Sequence, residues 1–453
     1  MGALIALFLC LGARAGASSA TLLLEEPYGK LGFFTATGHA AVYLSGVCAE
    51  TPVVLRPCKP GEAGVVLSRY DGVHGYDWIA IPLIPYLYAV ERPEDVPLFA
   101  EAKMAFYLRD RYRRKHLEDI APDANGGEAP GGNWYELIGS SYDRTIYGFE
   151  IETTLKQDAA LIRKLNASPN RSHFHLVSRN CADFAKDILN FYYPKTLHRS
   201  LIADAGMTTP KQMAQLLVKF GNRHPELQFS RLLIAQVPGT MPRSSAAHGV
   251  VESFFKSKKY IVPSVLVSPI FAGCVAVVYV GSSSSGRFDP ARNAMIFVPG
   301  HEPELPVGHE DRRAYQKELE SLLAENHPED PGIRADKAWG HLQSKARIEL
   351  DDHRGPVLQM QVGPDLVDVG ASAANVLSTG TPRPVLQLML EGRLQNELRR
   401  SASSRVSGAE LARDWRLLQH VIADPSVEAR WTTPSSERAM EARGSLHSSG
   451  DRP

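Results

Sequence analysis

Apolar and small residues fill His39-Ala40-Ala41-Val42-Tyr43-Leu44, and this pattern predicts a β-strand with His39, Ala41 and Tyr43 on one face. Ser172-His173-Phe174-His175-Leu176-Val177 alternates polar and apolar positions, predicting a second strand. Phe184, Ile188 and Phe191 or Tyr192 recur at helical spacing and stop before Pro194, so a helix follows it. Cys181 falls at the junction of the two. Further along, Tyr315, Leu319, Leu322 and Leu323 mark one amphipathic helix, and Leu411, Trp415, Leu418 and Ile422 another. Between them, Val357–Val362 and Asp365–Val369 predict a strand pair turning at Gly363-Pro364.

Two stretches are apolar without alternation. The first, Leu4 to Leu11, is followed by small residues and predicts a signal peptide over residues 1–20. The second, Tyr260 to Gly281, carries no charge and is long enough to span a bilayer as a helix, with Pro263 and Pro269 inside it. The expected organisation is a signal peptide (1–20), a folded domain of mixed strands and helices (21–240), a linker (241–259), a transmembrane helix (260–281), a small C-terminal α+β region (282–431) and a disordered tail (432–453).

Composition adds a restriction. The chain of 453 residues has 50 Lys plus Arg against 50 Asp plus Glu, so bulk charge argues for no nucleic-acid partner. Of its five cysteines, Cys10 lies in the signal segment and Cys274 in the apolar stretch. Cys48 and Cys58 flank a short segment with strand-like residues on both sides and are expected to bridge in an oxidising compartment, leaving Cys181 as the free thiol of the outer domain.

The chemistry centres on Cys181 and His39. Asn180 is a good N-cap and Asp183 can complete a capping box, which makes Cys181 the first helical residue. There the helix dipole and free N–H groups favour a thiolate and can hold an oxyanion. A histidine at a strand edge can take the thiol proton and later return it to a leaving group.

With Gly38-His39 opening a strand and Asn180-Cys181-Ala182-Asp183-Phe184 opening a helix, the chain resembles the circularly permuted NlpC-type papain-like superfamily. That superfamily includes bacterial cell-wall amidases and peptidases and lecithin:retinol acyltransferase-like enzymes. The resemblance covers about Leu22 to Tyr193. It implies an α+β fold in which the cysteine helix packs on an antiparallel sheet, with Cys181 as nucleophile and His39 as base.

The polar residue that orients the histidine in such enzymes has no clear counterpart among Glu50, Arg56, Asp71 and Asp77. His173 and His175 are expected to be structural or at the surface, and Arg109, Arg111, Arg113, Arg114 and Lys115 to form a solvated helix face. The loop Tyr70–Trp78 either shapes a cleft or is a plain turn. No metal or cofactor is expected.

The resulting expectation is a membrane-tethered cysteine hydrolase of the bacterial cell envelope, its N-terminal domain periplasmic or extracellular, cleaving an amide bond, with cell-wall peptide as a candidate. A thiol acyltransferase acting on an amide or ester is a close variant, and a non-catalytic envelope binding protein is the alternative.

Overall fold

The computed structural model describes residues 17–28, 37–70, 73–97 and 100–172, most of 174–326, the strands between 347 and 370, and Glu391, Leu394 and Trp415. The first described strands, β1 (Ala17–Glu25) and β2 (His39–Leu44), pair antiparallel. A hairpin of β3 (Val47–Thr51) and β4 (Val54–Pro57) then leads to β5 (Val65–Ser68) and β6 (Ile79–Pro82). Helices α1 (Leu83–Tyr88), α2 (Ala102–His116) and α3 (Ser140–Asp143) precede β7 (Ile146–Thr154). After it come α4 (Leu155–Ala167), α5 (Cys181–Tyr192), α6 (Pro210–Gly221) and β8 (Ser230–Ile234), then α7 (Val250–Lys256), α8 (Lys258–Val267) and β9 (Met295–Ile296).

Seven of these strands form one sheet in the order β6-β5-β2-β1-β7-β8-β9, antiparallel except between β8 and β9. The α+β expectation, with the cysteine helix on an antiparallel sheet, agrees with this architecture. Leu22-Leu23-Leu24 explains why β1 is central: a strand covered on both faces is apolar throughout rather than alternating. Leu23, Ala41, Val66 and Ile79 face the layer of α1 and α2, with Leu87, Met104 and Leu108. Leu22, Leu24, Ala40 and Val42 face the layer of α5 and α6, with Phe184, Ile188 and Leu217.

Several expectations change. The transmembrane helix over 260–281 is contradicted: α8 has ten residues, Lys258–Val267, which is about 15 Å of helix. Among the described residues no helix is long and apolar enough to cross a membrane. Pro263 lies inside α8 and lacks the N–H that would bond back along the helix, and Ser268, next after Val267, is not helical.

The strand expected before Cys181 is a tight turn closed by one bridge between His175 and Arg179. Nor is the Arg109–Lys115 face simply solvated. Arg109 is buried against Asp143 at 2.5 Å and Arg113 against Asp123 at 2.5 Å, while Arg114 and Lys115 pair with Asp110 and Glu91.

β1 begins inside the segment read as a leader: Ala17–Ala20 pair with Thr154–Ile151 of β7, and Ser18 Oγ lies 2.9 Å from Thr153 Oγ1. The sheet also runs past residue 240, since β9 joins β8, and α7 ties back to α6 through Lys211 and Glu252 at 2.6 Å.

The Cys48–Cys58 bridge forms, with Cα atoms 4.8 Å apart across a separation of 10 residues. Closing a loop of that length contributes about 2.5–3 kcal/mol by chain entropy. Replacing both cysteines with serine is expected to lower unfolding free energy in urea by about that amount. A loss under about 0.5 kcal/mol would mean that the hairpin's other contacts already constrain it.

Beyond the large sheet, α9 (His309–Asn326) is the first helix expected from periodicity, and Tyr315 stacks on Trp415 with ring centroids 5.0 Å apart. The expected strand pair is present as β11 (Gly355–Val362) and β12 (Asp365–Gly370), with Val362 opposite Asp365, and β10 (Arg347–Asp351) adds a third strand. The turn residues Gly363 and Pro364, the helix positions Leu411, Leu418 and Ile422, His173, Asp71, Cys10 and the tail 432–453 lie outside the described residues.

Candidate functional site

Cys181 owes its position to the cap that the sequence announces. Asn180 is extended, its side chain accepts from the Asp183 N–H at 2.9 Å, and Asp183 in turn accepts from the Asn180 N–H, completing the box. The Asn180 amide also donates to the carbonyls of Leu176 at 2.9 Å and Thr208 at 3.0 Å, fixing the turn ahead of the helix. Burial works to raise the Asp183 carboxyl, but bonds from Thr208, Arg199 and Lys186 outweigh it and hold the group below its usual value.

The thiol itself is pushed up to about 11. Burial is the main cause, opposed by the N–H groups of Ala40 and Ala182 and by its own. Cys181 is therefore a neutral thiol at rest, already surrounded by donors suited to its anion.

His39 is placed by Gly38, whose φ of +73° is left-handed and whose missing Cβ would sit 2.1 Å from the Glu25 carbonyl oxygen. The imidazole stacks on Tyr70 with centroids 4.3 Å apart, and its Nε2 lies 3.0 Å from Ser68 Oγ. Its pKa is held well below the ordinary histidine value, first by burial and then by the Arg144 charge. Ser68 supplies the orienting contact that had no counterpart in the sequence. It ends β5 opposite Ala41, so it shares a face with His39 two residues earlier on β2. Glu50, Arg56 and Asp77 do not fill this role: Arg56 pairs with Glu50 and Glu62, and Asp77 with Arg69 and Arg179.

A strand supplies one candidate residue and a helix the other. His39 lies opposite Glu25 on the face of Leu23 and Ala41, whereas α5 packs on the face of Ala40 and Val42. They meet at the end of the strands, where both line one cleft of about 200 Å³ with Arg69, Tyr70, Glu136, Phe174 and Leu176. Among the described residues no hydrogen bond joins Cys181 to His39. Tyr70 thus gives the 70–78 loop a part in the cleft. Arg69 is committed: it reaches Asp77 at 2.8 Å and the Asn180 carbonyl at 3.3 Å, and lies 4.8 Å from the Phe184 ring centroid.

Behind His39 sits a polar cluster that sequence reasoning missed. Glu25 is fully buried, accepts from the Tyr86 hydroxyl, and has Arg144 Nη1 3.2 Å from its Oε2. Burial still raises its carboxyl, with Arg144 opposing. Tyr86 lies 3.4 Å from Tyr70, oxygen to oxygen, so the cluster reaches the ring stacked on His39. Its signal in the sequence was an acidic residue directly after the apolar run Leu22-Leu23-Leu24.

His175 is held by Ser178 at 2.8 Å in its turn. Among the described residues, the one group with metal-ligand spacing is Cys48, Cys58 and Glu62, whose sulfurs are already bonded to each other. Comparison with known proteins found no matching family model, no matching curated protein and no matching solved structure.

Proposed function

We propose that the cleft is a thiol acyl-transfer site in which Cys181 attacks an amide or ester carbonyl and His39 moves the proton. The observation that carries this reading is the anchoring of His39 Nε2 by Ser68, in a cleft it shares with a helix-start thiol. With Nε2 donating to Ser68, Nδ1 keeps its lone pair and is the nitrogen that can act as base. As the sulfur bonds to the acyl carbon, its proton passes to Nδ1, and the N–H groups of Cys181 and Ala182 are placed to receive the oxyanion. Collapse breaks the bond to the leaving amine or alcohol, which takes the proton from His39 and leaves a thioester. Water completes a hydrolase cycle and an amine or alcohol a transferase cycle. Cell-wall peptide is a substrate of the right bond type, and the Cys48–Cys58 bridge supports an oxidising setting such as the bacterial envelope.

A second reading, a non-catalytic binding cleft, is favoured by one observation: among the described residues no hydrogen bond joins Cys181 to His39. Exposure to p-nitrophenyl acetate with mass mapping of Cys181 and Cys274 separates the two. The acyl-transfer reading expects an acetyl group on Cys181 and prompt nitrophenolate release, both abolished in Cys181→Ser. Acetylation confined to Cys274 would leave the binding reading standing.

A further inference from the structure

Glu136 lines the cleft, and among the described residues its carboxylate has no partner. It sits in the short turn Trp134–Leu137, held by the buried Trp134, whose indole donates to the Pro130 carbonyl at 2.7 Å, and by the buried Leu137. The carboxylate is therefore set on a fixed support rather than on a loose loop.

The cations around it have other partners. Arg144 pairs with Glu25 at 3.2 Å, Arg109 with Asp143 at 2.5 Å, and Arg69 with Asp77 at 2.8 Å. Among the described residues Glu136 has neither ion pair nor hydrogen bond, and burial raises its carboxyl despite Arg144. A half-buried carboxylate left so is costly, and it is stabilised when a ligand brings a donor or positive charge to it.

We propose that Glu136 recognises a cationic amino group of the substrate, so that the molecule handled at Cys181 is an amide bearing a protonated nitrogen. This rests on the thiol acyl-transfer reading for its chemistry, but the recognition can be measured without it. A single carboxylate suits an ammonium, which needs one counter-charge and a few acceptors, better than a divalent cation, which needs several oxygen ligands.

Two measurements on the full chain test it. In the first, methanethiosulfonates carrying an aminoethyl, methyl or sulfonatoethyl group transfer that thioalkyl group to the cysteine sulfur as a disulfide, releasing methanesulfinic acid. Cys181 and the exposed Cys274 are mapped separately, so that Cys274 reports each reagent's intrinsic rate. The aminoethyl reagent is expected to be favoured over the sulfonatoethyl reagent at Cys181 by about tenfold relative to Cys274, and the preference to fall to near unity in Glu136→Gln and in high salt. In the second, saturation transfer to n-butylammonium and to butyrate is compared in Cys181→Ser protein with and without Glu136→Gln. Only the ammonium signal is expected, and it is lost with Glu136→Gln. Equal signals for both ions, or an ammonium signal that survives Glu136→Gln, would overturn the proposal. Failure of Cys181 acetylation alongside Glu136-dependent ammonium binding would overturn the acyl-transfer reading alone.

Discussion

Replacing Arg144 with methionine is expected to cost about 3–5 kcal/mol of unfolding free energy, because it leaves the Glu25 carboxylate buried without a counter-charge. Glu25 is fully buried, and its remaining partner, the Tyr86 hydroxyl, supplies a hydrogen bond but no charge. Adding Glu25→Gln should recover most of the loss, since an amide needs hydrogen bonds rather than neutralisation, and the double-mutant cycle isolates that coupling. The sign with pH is also fixed. Burial already raises the Glu25 carboxyl, and removing Arg144 raises it further. A group whose folded pKa lies above its unfolded one loses stability as pH rises, so the Arg144→Met deficit should be larger at pH 8 than at pH 5. Urea titrations at the two pH values measure this, and a deficit independent of pH would show that the ion pair is not its source.

The other large effect is on chemistry. Replacing His39 with glutamine is expected to slow acyl transfer to Cys181 by ~10²–10⁴-fold, and the pH profile should change shape as well. In the native protein Cys181 remains a thiol up to about 11, and His39 remains neutral until the pH drops well below the usual histidine range. Both reactants therefore hold their starting protons across neutral pH. The rate should be flat there and fall only on the acid side, where His39 takes a proton and loses its lone pair. Without His39 the rate should follow the thiolate fraction alone and climb about tenfold per pH unit until the thiol titrates. An ascending limb near pH 8 in the native protein would contradict a resting neutral pair. Ser68→Ala removes one neutral hydrogen bond, of about 1 kcal/mol, and should slow the step about fivefold while keeping the flat profile.

The helix at Cys181 was legible because every signal for it is local. A cap, an acidic residue three positions on, and an apolar stripe lie within one short segment, and the structure has the same box and the same first residue. The β11–β12 pair was legible for the same reason, since its two apolar runs sit on either side of a turn. By contrast, Ser172–Val177 has the alternation of a strand, yet His175 and Arg179 close a turn there, in which the Asn180 amide captures the Leu176 carbonyl. The uncharged run at 260–281 shows the same limit. Hydropathy registers its apolar character, but α8 covers only Lys258–Val267, with Pro263 inside it.

Local pattern by itself determined the strand at His39, the capped helix at Cys181, the possibility of a Cys48–Cys58 bridge, and the absence of any bulk charge for nucleic acid. Only the tertiary structure decided how these parts meet. The register of β5 on β2, set across the intervening hairpin, brings Ser68 to His39, and the pairing of β1 with β2 puts Glu25 beside it. Helix α5 packs on the face opposite the one His39 shares with Ala41, so Cys181 and His39 share a cleft only where the strands end. Side-chain direction along a strand is a local property that sequence can carry. Which strand lies alongside, and in what register, depends on contacts between distant segments that no local pattern encodes.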